Sequence, residues 1–191
     1  MLKKLLATLV VVSLLASFAV FGSFAIFTDT QSVPDNTFST GTVDISTVPA
    51  TELVTFSGMA PGDQVTNPIT VTNAGSLELR YAVTSTTTVG TLAAQLDLTI
   101  KTGVTLCTNA GFGASGTVIY GPGDLGSVAG TNVIGDPAQG DDPPGDRTLV
   151  ASGGETLCFN VQLPSSTDYT FQGLNTTATL NFQAEQTSSN P

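Results

Sequence analysis

Cys107 and Cys158 are the only cysteines in this 191-residue chain, and histidine and tryptophan are absent. Without histidine, neither an H-E-x-x-H zinc hydrolase site nor a Ser-His-Asp triad can be built. The remaining acid–base chemistry belongs to carboxylates. A pair of them flanking a glycosidic bond is the usual arrangement for sugar hydrolysis. The four glutamates, Glu52, Glu78, Glu155 and Glu185, are instead scattered over predicted strands and loop edges, and few aromatics are on hand to line a cleft. No catalytic residue and no cofactor are expected. Asp136, Asp141, Asp142 and Asp146 offer hard oxygen ligands of the kind calcium takes. Their spacing fits no EF-hand loop, and the same Pro- and Gly-rich stretch also makes a solvated loop. The glycines around Phe112 form no phosphate loop, because no G-x-x-x-x-G-K-[ST] occurs. Asn175-Thr176-Thr177 matches an N-glycosylation sequon, a match expected by chance in a chain this rich in Asn and Thr.

The elements that position these residues begin with an export segment. Lys3 and Lys4 precede an uncharged apolar run, and Ser23-Phe24-Ala25 places small residues where a signal peptidase needs them. Cleavage is expected between Ala25 and Ile26. The alternative is a retained anchor, since the run is long enough to span a bilayer. No basic stop-transfer cluster follows it; the flank is Thr28, Asp29, Thr30. Removing residues 1–25 leaves three basic residues against fifteen acidic ones, a net charge of −12. So few cations cannot neutralise phosphates, which excludes nucleic acid as a partner. In an oxidising compartment the two cysteines are expected to pair, with two free buried thiols as the alternative.

After residue 27 the pattern is alternation, the mark of half-buried strands. Val65, Ile69 and Val71 share a face, with Pro68 between them demanding a sheet edge or a bulge. Leu77, Leu79, Tyr81 and Val83 alternate with Glu78, Arg80 and Ala82. Leu96, Leu98 and Ile100 follow. Leu157, Phe159, Val161 and Leu163 face one way and Cys158 the other. Ala178, Leu180, Phe182 and Ala184 close the series. Turns at Ala60-Pro61-Gly62-Asp63 and Asn73-Ala74-Gly75-Ser76 separate the runs. Many short strands punctuated this way predict an all-β, jelly-roll-like β-sandwich preceded by an N-terminal hydrophobic signal helix. The expected organisation is a signal peptide (1–25), an N-terminal segment (26–34), a sandwich (35–186) and a polar tail (187–191). A Gly/Pro/Asp-rich insertion is expected at about 107–147, read as a surface excursion with a short hairpin at residues 117–120.

Three blocks resemble the TasA/camelysin family of secreted biofilm-matrix proteins. The first is Ala25-Ile26-Phe27-Thr28-Asp29 leading to Asn36-Thr37-Phe38-Ser39-Thr40-Gly41-Thr42-Val43-Asp44-Ile45. The second is Met59-Ala60-Pro61-Gly62-Asp63 through Asn73-Ala74-Gly75-Ser76-Leu77. The third is Leu157-Cys158-Phe159-Asn160-Val161-Gln162-Leu163-Pro164, then Phe171-Gln172-Gly173 and Phe182-Gln183-Ala184-Glu185-Gln186. Residues 103–150 match nothing in the family pattern. The resemblance implies a secreted, extracellular structural subunit processed by a dedicated signal peptidase. It also implies a homopolymer, in contact with other matrix components, built by donor-strand addition. The donor strand would be Ile26, Phe27, Thr28, Asp29, Thr30, Gln31, Ser32 and Val33 of one copy, added to the sheet of the next. A peptidase activity ascribed to some members does not carry over to a chain without histidine. The competing expectation is a membrane-tethered surface domain that does not polymerise. N-terminal sequencing and intact mass of the exported protein decide between them. A product starting at Ile26 is expected, and one retaining residues 1–25 would establish the tether.

Overall fold

Alternating apolar residues can bury one face of a strand only if a second sheet covers that face, and the chain supplies two. The structure, a computed structural model, describes residues 2–19, 39–50, 58–138 and 145–187. It falls into two units, 1–39 and 40–191. In the first, α1 (Leu2–Ala19) is a helix. Among the described residues no helix is long and apolar enough to cross a membrane.

The second unit is a two-sheet antiparallel β-sandwich, as the alternation predicts. The larger sheet contains β1 (Ile45–Val48), β2 (Gln64–Asn73), β4 (Asp97–Thr102), β5 (Thr117–Asp124) and β8 (Gly154–Gln162), in the order β1-β2-β8-β4-β5. The smaller sheet is built on β3 (Leu79–Thr87). On one side β3 pairs along its whole length with β9 (Ala178–Gln186). On the other it pairs with two short strands in tandem, β6 (Thr131–Ile134) and β7 (Arg147–Leu149). A short helix α2 (Gly90–Ala93) links β3 to β4. Leu79, Tyr81 and Val83 of β3 lie in one core with Val71, Leu98, Ile100, Leu157 and Phe159 of the facing sheet, each at most 1% exposed. Each fully buried side chain of this kind is worth about 1.5–3 kcal/mol of transfer free energy.

Pro68 sits where its missing N–H does no harm. β2 pairs with β8 throughout, but β1 covers it only from Thr70 to Asn73, so Pro68 lies on the uncovered stretch.

Residues 107–147 do more than arch over the surface. The predicted hairpin at 117–120 is the first half of β5, which pairs with β4 and runs on through Gly121-Pro122-Gly123. β6 lies in the same stretch and joins the other sheet. Turn-type composition concealed both strands, because glycine and proline mark bulges at a sheet edge as readily as loops.

The turns of the motif blocks interlock. Asn73 is fully buried at the end of β2. Its Nδ2 donates to the carbonyls of Leu77 (2.8 Å), Leu149 (3.1 Å) and Val150 (3.1 Å), and its Oδ1 accepts from Gly75 N–H at 2.9 Å. Ser76 and Leu77 N–H both donate to Thr42 O. A Cβ on Gly75 would lie 2.3 Å from that same oxygen, and one on Gly41 2.4 Å from Leu77 Cγ, so both positions require glycine. The Pro61-Gly62-Asp63 turn, with Gly62 at φ +98°, docks on the end of the third block: Gly62 N–H donates to Leu163 O at 2.7 Å, and Leu163 N–H donates to Asp63 O at 2.9 Å. Substituting Asn73→Ala removes this partner from three carbonyls and from the Gly75 N–H. Loss of about 3 kcal/mol in urea unfolding is expected, with the slope of the transition unchanged.

Candidate functional site

A sheet edge is a row of unmet backbone donors and acceptors, so the place to look for a strand-adding site is an edge that nothing guards. Most edges of this sandwich are guarded. β5 carries Pro122 and register shifts against β4. β1, β6 and β7 have four, four and three residues. The uncovered part of β2 holds Pro68. β9 differs: its nine residues run in unbroken register along β3, without proline, glycine or lysine, and no described strand pairs with its other edge.

The core beside β9 is also incompletely covered. Leu180, Phe182 and Ala184 point inward yet remain only partly buried. Phe182 leans on Tyr81 with ring centroids 6.1 Å apart. On the facing sheet the corresponding edge is β1, whose Ile45 is likewise half-buried. The outward residues Thr179, Asn181 and Gln183 are exposed and uncharged. Among the described residues this edge is regular and unpaired, with an apolar, half-covered core face.

Polar clamps hold this edge in place. Arg80, 5% exposed on the outer face of β3, pairs across the strand with Glu185 of β9 at 2.6 Å and with Asp146 at 3.8 Å. Between the sheets, Glu155 of β8 accepts from Arg147 Nε at 2.7 Å and from Tyr81 Oη at 2.8 Å. Burial pushes the Glu155 carboxyl up, but the hydrogen bonds from Arg147 and Tyr81, and the Arg147 charge, hold it below the usual carboxylate value. Burial, and then the Glu155 charge, push the Tyr81 phenol well above its ordinary range.

The larger sheet is closed on its outer face by the disulfide. Cys107 and Cys158 are bonded, with Cα atoms 5.6 Å apart, and Cys158 is 1% exposed. The segment that Cys107 carries is further tied down by Lys101 Nζ, which donates to Phe112 O at 2.8 Å and lies 4.5 Å from the Phe112 ring centroid. A closed loop of this length contributes roughly 4 kcal/mol in the chain-entropy picture.

The other expected site residues separate. Ala25 and the candidate donor strand, 26–33, lie outside the described residues, as do Asp141 and Asp142. Asp146 accepts from Asp136 N–H at 2.9 Å and turns its charge to Arg80 at 3.8 Å, which ties these two positions to β3. Sequence reasoning recognised β9 as a strand but not as an edge. The hint available was a long alternating run free of proline, glycine and lysine.

The fold and site together define a disulfide-braced, all-β sandwich in which, among the described residues, β9 is a long edge without a second strand partner. Residues 1–107 match the family model described as camelysin metallo-endopeptidase, and the chain belongs to this TasA/camelysin family. A sequence search of curated proteins finds no match. The family description implies a metal, but the residues do not fit a catalytic zinc. Histidine is absent, both thiols are spent in the disulfide, and among the described residues no group of three or more potential ligands converges.

Glu155 contributes stability that is present above the carboxylate pKa of the unfolded chain. That contribution is lost as pH falls through the lowered folded value. Thermal unfolding followed by circular dichroism is therefore expected to weaken below about pH 4. Glu155→Gln is expected to cost about 2 kcal/mol at pH 7 and to flatten the acid limb.

Proposed function

We propose that this protein is a secreted structural subunit that forms extracellular matrix fibres by donor-strand addition. It acts as a scaffold and not as a peptidase. Family membership suggests a secreted matrix protein, and the observation that carries the finer reading is β9. A nine-residue regular edge, half-covered on its core side, is matched in length by the eight-residue segment 26–33. At about 3.4 Å per residue that segment spans ~27 Å, most of the length of β9. Once a signal peptidase cuts after Ala25, Ile26 to Val33 of one copy would lie along β9 of the next. Its apolar residues would cover Leu180 and Phe182, and its backbone would meet the open donors and acceptors. Such a contact is head-to-tail and does not close, so it propagates a filament. The partner is a second copy of this chain, with other matrix components lying along the fibre.

Electron microscopy and hydrogen exchange of the exported protein test this. Filaments are expected, with β9 amides exchanging at least about tenfold more slowly than in the monomer, a loss of opening equivalent to 1.4 kcal/mol or more. Deleting residues 26–33 is expected to abolish both. Filaments that persist after the deletion would sink the donor role, and β9 amides left unprotected in fibres would sink the acceptor role.

A further inference from the structure

We infer that copies of this chain join only when counterions screen them, so that ionic strength regulates assembly; the inference rests on the strand-addition reading above. Beyond residue 25 the chain has three basic residues, Arg80, Lys101 and Arg147, against fifteen acidic ones. All three are committed within the subunit. Arg80 is buried against Glu185 and Asp146, Arg147 is bound to Glu155, and Lys101 is held by Phe112. A neighbouring copy therefore meets carboxylates with no side-chain cation to offer them, the one added positive charge being the α-amino group that cleavage leaves on Ile26.

The repulsion is also local to the joint. Asp29 lies within the donor segment. Asp44 stands exposed at the head of β1, the strand that borders the same open side as β9, and has no side-chain partner among the described residues. Glu185 lies on β9 itself. Elsewhere the subunit tolerates unneutralised charge of the same kind: Asp97 and Asp124 are direct cross-strand partners on β4 and β5, an arrangement that disfavours pairing. Ordinary charge steering between complementary patches is unavailable to such a molecule. What remains is screening. The Debye length shrinks from ~30 Å at 0.01 M salt to ~3 Å at 1 M. Adjacent strands sit about 4.8 Å apart. At low salt the donor feels the whole anionic subunit, and at high salt only its immediate neighbours.

The test is light scattering and sedimentation of the exported protein, purified from the medium, across a sodium chloride series. Between about 20 mM and about 500 mM salt the concentration needed for half-assembly is expected to fall at least about tenfold. The variant Asp44→Asn/Asp97→Asn/Asp124→Asn, checked for an unchanged circular dichroism spectrum, is expected to assemble at lower salt than the parent. Assembly that is equally strong throughout the series, or a variant with an unshifted salt requirement, would overturn this inference and leave the fibre reading standing. Absence of assembly at every ionic strength would overturn both.

Discussion

The buried side chain of Asn73 is the constraint on which the sandwich most depends. One amide holds three pieces of chain: the turn that carries β2 out of the larger sheet, the start of β3 in the smaller one, and the turn that joins β7 to β8. A polar group with no exposure must have every hydrogen bond met. Its position is therefore as specific as that of any apolar residue, and it sets where the chain changes sheet. Thr42 O, accepting from Ser76 and Leu77, ties the run-in to β1 to the same corner. β1 then takes its register from the far half of β2, on the side of the sandwich where, among the described strands, β9 ends the smaller sheet.

The motif blocks that mark the family acquire a physical meaning at these corners. Gly41, Asn73, Gly75 and Leu77 meet at one junction, and Gly62 and Asp63 meet Leu163 at another. These residues satisfy backbone groups and permit close approach of main chains. None converges on a point where a substrate or metal would sit. The likeness thus reports how the sandwich is closed, and among the described residues no group of three or more potential metal ligands converges.

Charge is rationed in the same manner. The three cations beyond residue 25 are spent on internal tasks: joining the sheets at Glu155, fixing β9 to β3 at Glu185, and holding the disulfide-bearing segment at Phe112. Each is worth more there than on the surface, since a partly desolvated pair is less screened than an exposed one. Beyond residue 25 the consequence is an exposed charge that is predominantly negative. The proposed dependence of assembly on ionic strength rests on this imbalance.

Much of this was legible in the residues. The period of two placed Leu157, Phe159, Val161 and Leu163 on the core face and Cys158 on the other. It marked β9 correctly as a strand, and the absence of histidine removed whole classes of chemistry. Those are local properties, because facing direction alternates along any extended chain and a missing residue type is missing everywhere. The structure alone decided which strands are neighbours: that β9 ends a sheet while β8 is its sister sheet's centre, that Gly121-Pro122-Gly123 lies in an edge strand, and that Arg80 is buried. Neighbour choice depends on how turns route the chain between two sheets and on which long-range packings then satisfy every buried group. Alternation along a strand carries no record of what lies across it.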